Sequence, residues 1–423
     1  MQFRRRRLHN CRLRLSSTSF ICAAIRAAVR TTPQSWCLDH PLPQNKTVNI
    51  LIWRAIASLS FAIWIYLALF RGRFWQLREK LPAATPSRSD FRVTAVIPAR
   101  DEAGHIERAV AALRAQQFDG TLRIVVADDE STDGTAESAL SAGADRAVRV
   151  QPRPAGWTGK LWAVASGIRA ETSSPDFFLL ADADIEFTAA NALSALLARA
   201  EDGFDLVSVM VTLRSEYPAE KLLIPAFVFF FFMLYPPAWV SSRRPTAAAA
   251  GGCMLIRPQT LARIGGVDSI HAALIDDCAL AARVKNAGGR VWLGTSAPPI
   301  RSIRDYPGAA HIRQMIARSA FAQLNHSTFL LLATIFGMLL VYIAPVALLF
   351  AGDPVTAALS ALAWLLSAAL FLPIAREYNV PRWTSLCLPA IALFYLAATI
   401  ESAFRYWTGR GGIWKGRVQD SRH

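Results

Sequence analysis

The sequence predicts an α/β domain with a mostly parallel sheet, flanked on both sides by membrane-spanning helices. Three observations carry this expectation. Between about 92 and 292, short β-rich runs alternate with helical stretches, the pattern of strand–helix–strand units. Carboxylate-rich turns follow several of the apolar runs, where open α/β sheets bind their ligands. Outside this region, apolar runs stand at 50–70, 328–350, 355–375 and 386–404, each about the length needed to cross a bilayer.

Taking the elements in order, residues 1–47 carry nine basic residues against Asp39 alone, with Cys11, Cys22 and Cys37 and no sustained periodicity. They read as a disordered basic extension, of the kind a mis-assigned start produces, and not as a secretory signal. The segment 48–70 is the first span. Arg54 lies near one end of it, and the "RGRFWQLREK" that follows places residue 71 onward in the cytoplasm by the positive-inside rule. A juxtamembrane linker covers 71–91. The formal net charge of +15 suits an anionic membrane surface or phosphate-bearing substrates. No nucleic-acid partner is expected. The six scattered cysteines form no CxxC and no metal-ligand spacing, so they read as reduced structural thiols.

Within the α/β domain, "RVTAVIPA" (92–99) is the first strand and "AGHIERAVAALRAQ" the first helix, with Ile106, Val110 and Leu113 on one face. "TLRIVVADD" is the second strand. A helix closed by Gly143, the strand "RAVRVQP", the helix "GKLWAVASGIRAE" and the strand "DFFLLADAD" follow. The run "LLIPAFVFFFFMLYPPAWV" (222–240) is apolar enough to span but is broken by Pro225, Pro236 and Pro237. It is expected to be an interfacial or buried helix, because a crossing here would put two halves of one site on opposite sides of the membrane. One span before the domain and three after it leave the basic tail 405–423 outside, against its charge. Either 386–404 re-enters or the count is off by one.

The motifs sit at the ends of the strands. "VIPARDE" presents Arg100, Asp101 and Glu102 where Pro98 stops the ladder. "VVADDESTDGT" sets Asp128 beside Asp129, two carboxylates that repel unless donors or a cation satisfy them. "GWTGK" opens a helix with free N–H groups and Lys160, which suits a diphosphate, although its spacing is not that of a P-loop. Asp182 and Asp184 stand at i and i+2, on one face if the strand continues, and hard cations prefer such oxygen ligands. Gly251 and Gly252 are expected to leave room for a ligand against the backbone. Asp276 and Asp277 begin a helix. Helix capping or an ordinary solvated turn would also account for each carboxylate pair, so spacing leaves both roles open.

In this order, "VIPARDE", "DDESTDGT", "GWTGK", "DAD", "GGCMLIR" and "IDDCALAARVKNAGG" resemble the family 2 glycosyltransferases. With the flanking spans and the "WKGR" tail, the chain looks more narrowly like the hopene-associated members. The resemblance implies the GT-A nucleotide-sugar fold over 92–327, with about three membrane segments in 328–404. It also implies Mg²⁺ or Mn²⁺ as cofactor, a nucleotide-sugar donor such as a UDP-sugar, and a lipid acceptor in the bilayer. Asp128, Asp129, Glu102, Lys160 and Asp182 would bind the donor, Asp184 with Asp182 the metal, and Asp277 with Asp276 would act as base. Transfer would invert the anomeric carbon. Gln314 and Arg318 are not followed by the tryptophan of processive synthases, which points to a single transfer, with Arg318 near the acceptor mouth. The implied location is the inner membrane, multi-pass, with the domain facing the cytoplasm. Rival readings are a carotenoid- or ceramide-type acceptor, or an inactive scaffold or transporter.

Overall fold

A computed structural model describes residues 44–81, 90–296 and 300–412. The chain divides after Asn49, and residues 44–49 are the described part of the first unit. Residues 1–43 of the extension expected at 1–47, with its three cysteines, and the "WKGR" tail lie outside the described residues. Everything below concerns the second unit.

Seven strands form the main sheet: β1 (Phe91–Ala99), β2 (Gly120–Asp128), β3 (Arg146–Arg149), β4 (Phe177–Ala181), β6 (Leu206–Met210), β7 (Cys253–Ile256) and β8 (Val291–Thr295). Their order is β3-β2-β1-β4-β7-β6-β8. All neighbours pair in parallel except β7, which runs antiparallel to both β4 and β6. A separate ribbon joins β5 (Ile185–Phe187) to β9 (Ile300–Ser302) in antiparallel pairing. The mostly parallel expectation therefore holds, with one reversed strand near the centre.

Alternation along the strands divides the core in two. On one side Val93, Ala95 and Ile97 pack with Ile106, Val110 and Leu113 of the helix Ala103–Arg114, and with Leu193 and Leu196 of the helix Ala192–Glu201. On the other side Val96, Leu180 and Met254 meet Leu161 and Val164 of the helix Gly159–Ala170 and Leu280 of the helix Asp276–Asn286. That second core continues without a break into Leu223, Ile224 and Phe229 of the helix Pro218–Leu234, and on to Phe371 and Ile391 of the C-terminal helices. The sheet and the apolar helices thus share one hydrophobic layer.

Among the described residues, five helices are long and apolar enough to cross a membrane: Thr47–Leu69, Pro218–Val240, Thr328–Leu348, Pro354–Glu377 and Arg382–Trp407. They differ in what they expose. Phe329 and Phe336 are 78% and 68% exposed, as side chains facing lipid would be. Pro218–Leu234 instead buries Leu223, Ile224, Phe229 and Phe232. Its helix runs unbroken through Pro225 and ends at Tyr235, so the expected interruption at Pro225 is not found. Packing of the buried turn outweighs the one backbone bond that proline removes. Arg54, near one end of the first of these helices, is partly exposed. It forms a two-pronged pair with Asp353 at 2.9 and 2.7 Å, and Asp353 also caps the helix Pro354–Glu377 through the Thr356 N–H.

Candidate active site

Strand ends and reach-over pairings assemble the site. The register Ala181↔Cys253 between β4 and β7 puts Asp182 beside the two glycines that precede β7, and the Asp182 N–H donates to the Gly252 carbonyl at 3.2 Å. β4 ends at Ala181, and Asp182–Asp184 form a tight turn in which the Ile185 N–H donates to the Asp182 carbonyl. The expectation that both aspartates project from one strand face is thereby corrected. The turn is forced by β5, which leaves the sheet to pair with β9.

Thr158 caps the helix Gly159–Ala170 by accepting the Leu161 N–H. The first turn of this helix carries Lys160, whose Nζ lies 2.9 Å from Asp182 Oδ1 and 3.2 Å from Asp276 Oδ2. Burial works against the Lys160 charge, but Asp182 and Asp276 outweigh it and hold its pKa well above the ordinary lysine value. Asp182 is raised by burial and by Asp184, against the pull of Lys160.

Asp277, in the first turn of the helix Asp276–Asn286, accepts the Gly251 N–H at 2.7 Å on one oxygen and the Cys278 N–H at 2.7 Å on the other. Burial and the neighbouring Asp276 push its pKa up to about 6, against Lys160 and these two N–H groups. That value suits a general base near neutral pH. Cys278 is held protonated by burial and by Asp277, so it is no rival nucleophile.

The two glycines do not leave the open space expected of them. A Cβ on Gly251 would sit 3.0 Å from Asp277 Oδ2 and 3.3 Å from Lys160 Nζ, and one on Gly252 would sit 3.2 Å from Ile185 Cδ1. They allow side chains of this protein to close over the backbone. Arg318 is exposed on the helix Ala309–Gln323, and its charge acts on the Tyr306 hydroxyl together with Arg304 and Asp184.

A second cluster stands at the adjoining ends of β1, β2 and β4. Asp184 accepts the Ser302 hydroxyl at 2.5 Å and Arg304 at 3.1 Å, and the same Arg304 nitrogen reaches Glu102 at 2.5 Å. Glu102 also meets His105 Nδ1 at 3.0 Å. Burial disfavours the Arg304 charge, but Asp184 and Glu102 hold it firmly protonated. Arg100 donates to the Asp129 carbonyl at 2.6 Å and lies 3.4 Å from its carboxylate. Asp128 accepts the Ser131 N–H at 3.3 Å. Asp128, Asp129, Glu102 and Asp184 are all buried, which a merely solvated turn does not explain.

Ser302, Arg304 and His105 were not legible as site residues. The only signal was "IRSIRDY", with two arginines in a β-like run, and its partners are over 100 residues away.

Residues 94–265 match the family described as Glycosyl transferase family 2. The chain contains a glycosyltransferase family 2 domain. Its fold is GT-A, and the mannosyltransferase PcManGT from Pyrobaculum calidifontis, solved with GDP-Man and Mn²⁺, shares it. That protein is 20% identical, with a TM-score of 0.52 over 86% of this chain and 100% of its own. The glucosyl-3-phosphoglycerate synthase of M. tuberculosis is also 20% identical, over 54% of this chain and 78% of its own, with a TM-score of 0.34. S. aureus TarS is 16% identical, over 54% of this chain and 40% of its own, with the same TM-score. No curated protein matches the sequence. Within the glycosyltransferase domain, both carboxylate clusters lie at the strand ends where an α/β sheet takes its ligand.

The GT-A fold implies a divalent ion. Among the described residues no group of three or more His, Cys, Asp or Glu is arranged to hold one. Asp182 and Asp184 offer two carboxylates on one turn, and a hard cation binds through one or two carboxylates when phosphate oxygens complete its shell. The donor set fits such an ion shared with a diphosphate, and not a cage made by protein alone.

Proposed function

We propose that this protein transfers one sugar from a nucleotide-sugar donor to a lipid acceptor, with inversion at the anomeric carbon and without polymerisation. The observation that carries the reading is Asp277. It is a carboxylate raised to about 6, fixed by the Gly251 and Cys278 N–H groups and set against the Lys160–Asp182–Asp276 network. A single positioned base with no competing nucleophile suits direct displacement, in which Asp277 takes the acceptor hydroxyl proton as that oxygen attacks the sugar.

Asp128, Asp129 and Glu102 would receive the nucleoside. Lys160 and Arg304 bring positive charge to the strand ends where the diphosphate would lie. Asp184 with Asp182 would hold Mg²⁺ or Mn²⁺, and the bound ion would neutralise charge on the diphosphate leaving group. The GDP-Man and Mn²⁺ of the Pyrobaculum enzyme support a nucleotide sugar and a divalent ion here. The five apolar helices support a lipid acceptor and an integral, multi-pass location. The basic stretch after the first of them favours a domain on the cytoplasmic side of the inner membrane.

Within lipids we favour a hopanoid acceptor, on the sequence likeness to hopene-associated members. Membranes containing the protein, incubated with a panel of labelled nucleotide sugars, decide this by mass spectrometry of the labelled lipid. A glycosylated hopanoid is expected. A labelled carotenoid or ceramide would replace that acceptor, and no labelled lipid with any donor would overturn the reading.

A further inference from the structure

We propose that an open groove beside Asp277 seats an uncharged lipid alcohol, admitted from the bilayer, with its hydroxyl end toward that carboxylate. The proposal rests on the transferase reading above and narrows its acceptor class. The groove has a volume of about 490 Å³ and is lined by Tyr235, loop residues 272–275, Cys278, Gln323, Asn325 and His326 among others. This volume is in the usual range for small-molecule sites, about 300–1,000 Å³.

Its lining limits what could occupy it. Cys278, on that lining, donates its N–H to Asp277 at 2.7 Å. Asn325 and His326, also on it, are both in the left-handed region at φ 50° and 54°. They turn the chain from the helix Ala309–Gln323 into the apolar helix that starts at Thr328, whose Phe329 is exposed. The lining thus includes both the neighbour of the base and the turn that leads into an apolar helix.

The lining chemistry selects further. Ala272, Ala273, Leu274, Ile275, Ala279 and Ala322 supply an apolar wall, and among the described residues no Lys, Arg, Asp or Glu lines the groove. A phosphate-bearing acceptor would need cationic donors to replace its water, whereas a neutral hydroxyl needs one or two polar partners. Gln323 donates to the Tyr235 hydroxyl, and His326 is locked flat against Tyr406 at 4.1 Å. The polar contacts on the lining are therefore few and rigidly placed.

The test uses the full chain in phosphatidylcholine nanodiscs, with photoactivatable diazirine-bearing octadecanol as probe and diazirine-bearing octadecyl phosphate as its charged counterpart. Labelled peptides are mapped by mass spectrometry without donor. The alcohol is expected to label 272–279 and 322–326, and the phosphate to label them at least about tenfold less. Ala273→Trp and, independently, Ala322→Trp should each cut the alcohol labelling by about tenfold, the scale of filling a fitted space with a bulky side chain. Calorimetric binding of UDP-glucose or GDP-mannose should be unchanged in both variants. Labelling confined to the outer faces of the apolar helices, equal labelling by the phosphate, or full labelling in both variants would overturn the proposal. Because labelling is read without donor, it decides the groove separately from whether the wild-type protein binds a nucleotide sugar, which tests the transferase reading.

Discussion

Glu220 accepts the backbone N–H of Tyr306 at 2.6 Å, and so ties the apolar helix Pro218–Leu234 to the segment that carries Arg304 into the site. The Glu220 carboxylate is fully buried and also accepts the N–H groups of Glu216 and Tyr217, at 2.8 and 3.0 Å. A buried carboxylate with three N–H donors is well satisfied, and removing it would strand those donors. Glu220→Ala should destabilise the protein by about 2–4 kcal/mol and lower transfer by displacing Arg304. Glu220→Gln, which keeps an acceptor oxygen, should restore part of both. Thermal unfolding in detergent together with a transfer assay checks this; an unchanged melting temperature in Glu220→Ala would refute the tie.

Asp277→Asn should lower transfer by about 10²–10⁴-fold, the usual contribution of a positioned base, while leaving nucleotide-sugar binding intact. In the unmutated protein the rate should fall about tenfold per pH unit below about pH 6, as Asp277 takes up a proton. Its folded pKa lies above the ordinary value of 3.8, so the fold favours the neutral carboxyl. That contribution to stability is complete below pH 3.8 and is lost as pH rises through about 6. The asparagine variant should lack this loss, which melting curves across pH 4–7 would reveal. A pH-independent rate between 5 and 7 would exclude Asp277 as the base.

Ser302→Ala removes the hydroxyl that orients Asp184. Loss of such a supporting bond typically weakens a metal by about 10–100-fold. The expected result is a matching rise in the Mg²⁺ or Mn²⁺ concentration needed for half-maximal donor binding, measured by titration. Asp184→Ala should abolish the metal dependence, and chelation of the unmutated protein should mimic it. Donor binding indifferent to chelator would count against the metal assignment.

Gly251→Ala places a methyl 3.0 Å from Asp277 Oδ2 and 3.3 Å from Lys160 Nζ, tighter than these neighbours accept without moving. Gly251 has no left-handed backbone requirement, so stability should change by about 1 kcal/mol or less. Transfer should fall at least about tenfold, since small misplacement of a reacting group is costly. Full activity would show that Asp277 needs no close fit against this strand.

Much of the architecture could be read from local pattern. The helix face set by Ile106, Val110 and Leu113 follows the helical period, while the β1, β2 and β4 runs and the apolar helices are legible from residue type and run length. Glu102, Asp128, Asp129, Asp182 and Asp184 also lie where strands end, and Asp276 and Asp277 open a helix. Two local readings failed where long-range pairing intervened. Asp182 and Asp184 were expected on a continued strand, but β5 pairs with β9 and bends the chain after Ala181. Pro225 was expected to break a helix that core packing keeps intact.

Residue types and their order along the chain were enough to specify a sheet with carboxylates at its edge and apolar helices around it. They were enough because periodicity and turn chemistry act over a few residues. Which charges face one another is a different matter. Lys160 meeting Asp182 and Asp276, Arg304 bridging Glu102 to Asp184, and Gly251 holding Asp277 join positions from 22 to 202 residues apart. Those contacts depend on strand order and register, above all on the reversed strand β7 and the ribbon β5–β9, which no local pattern encodes.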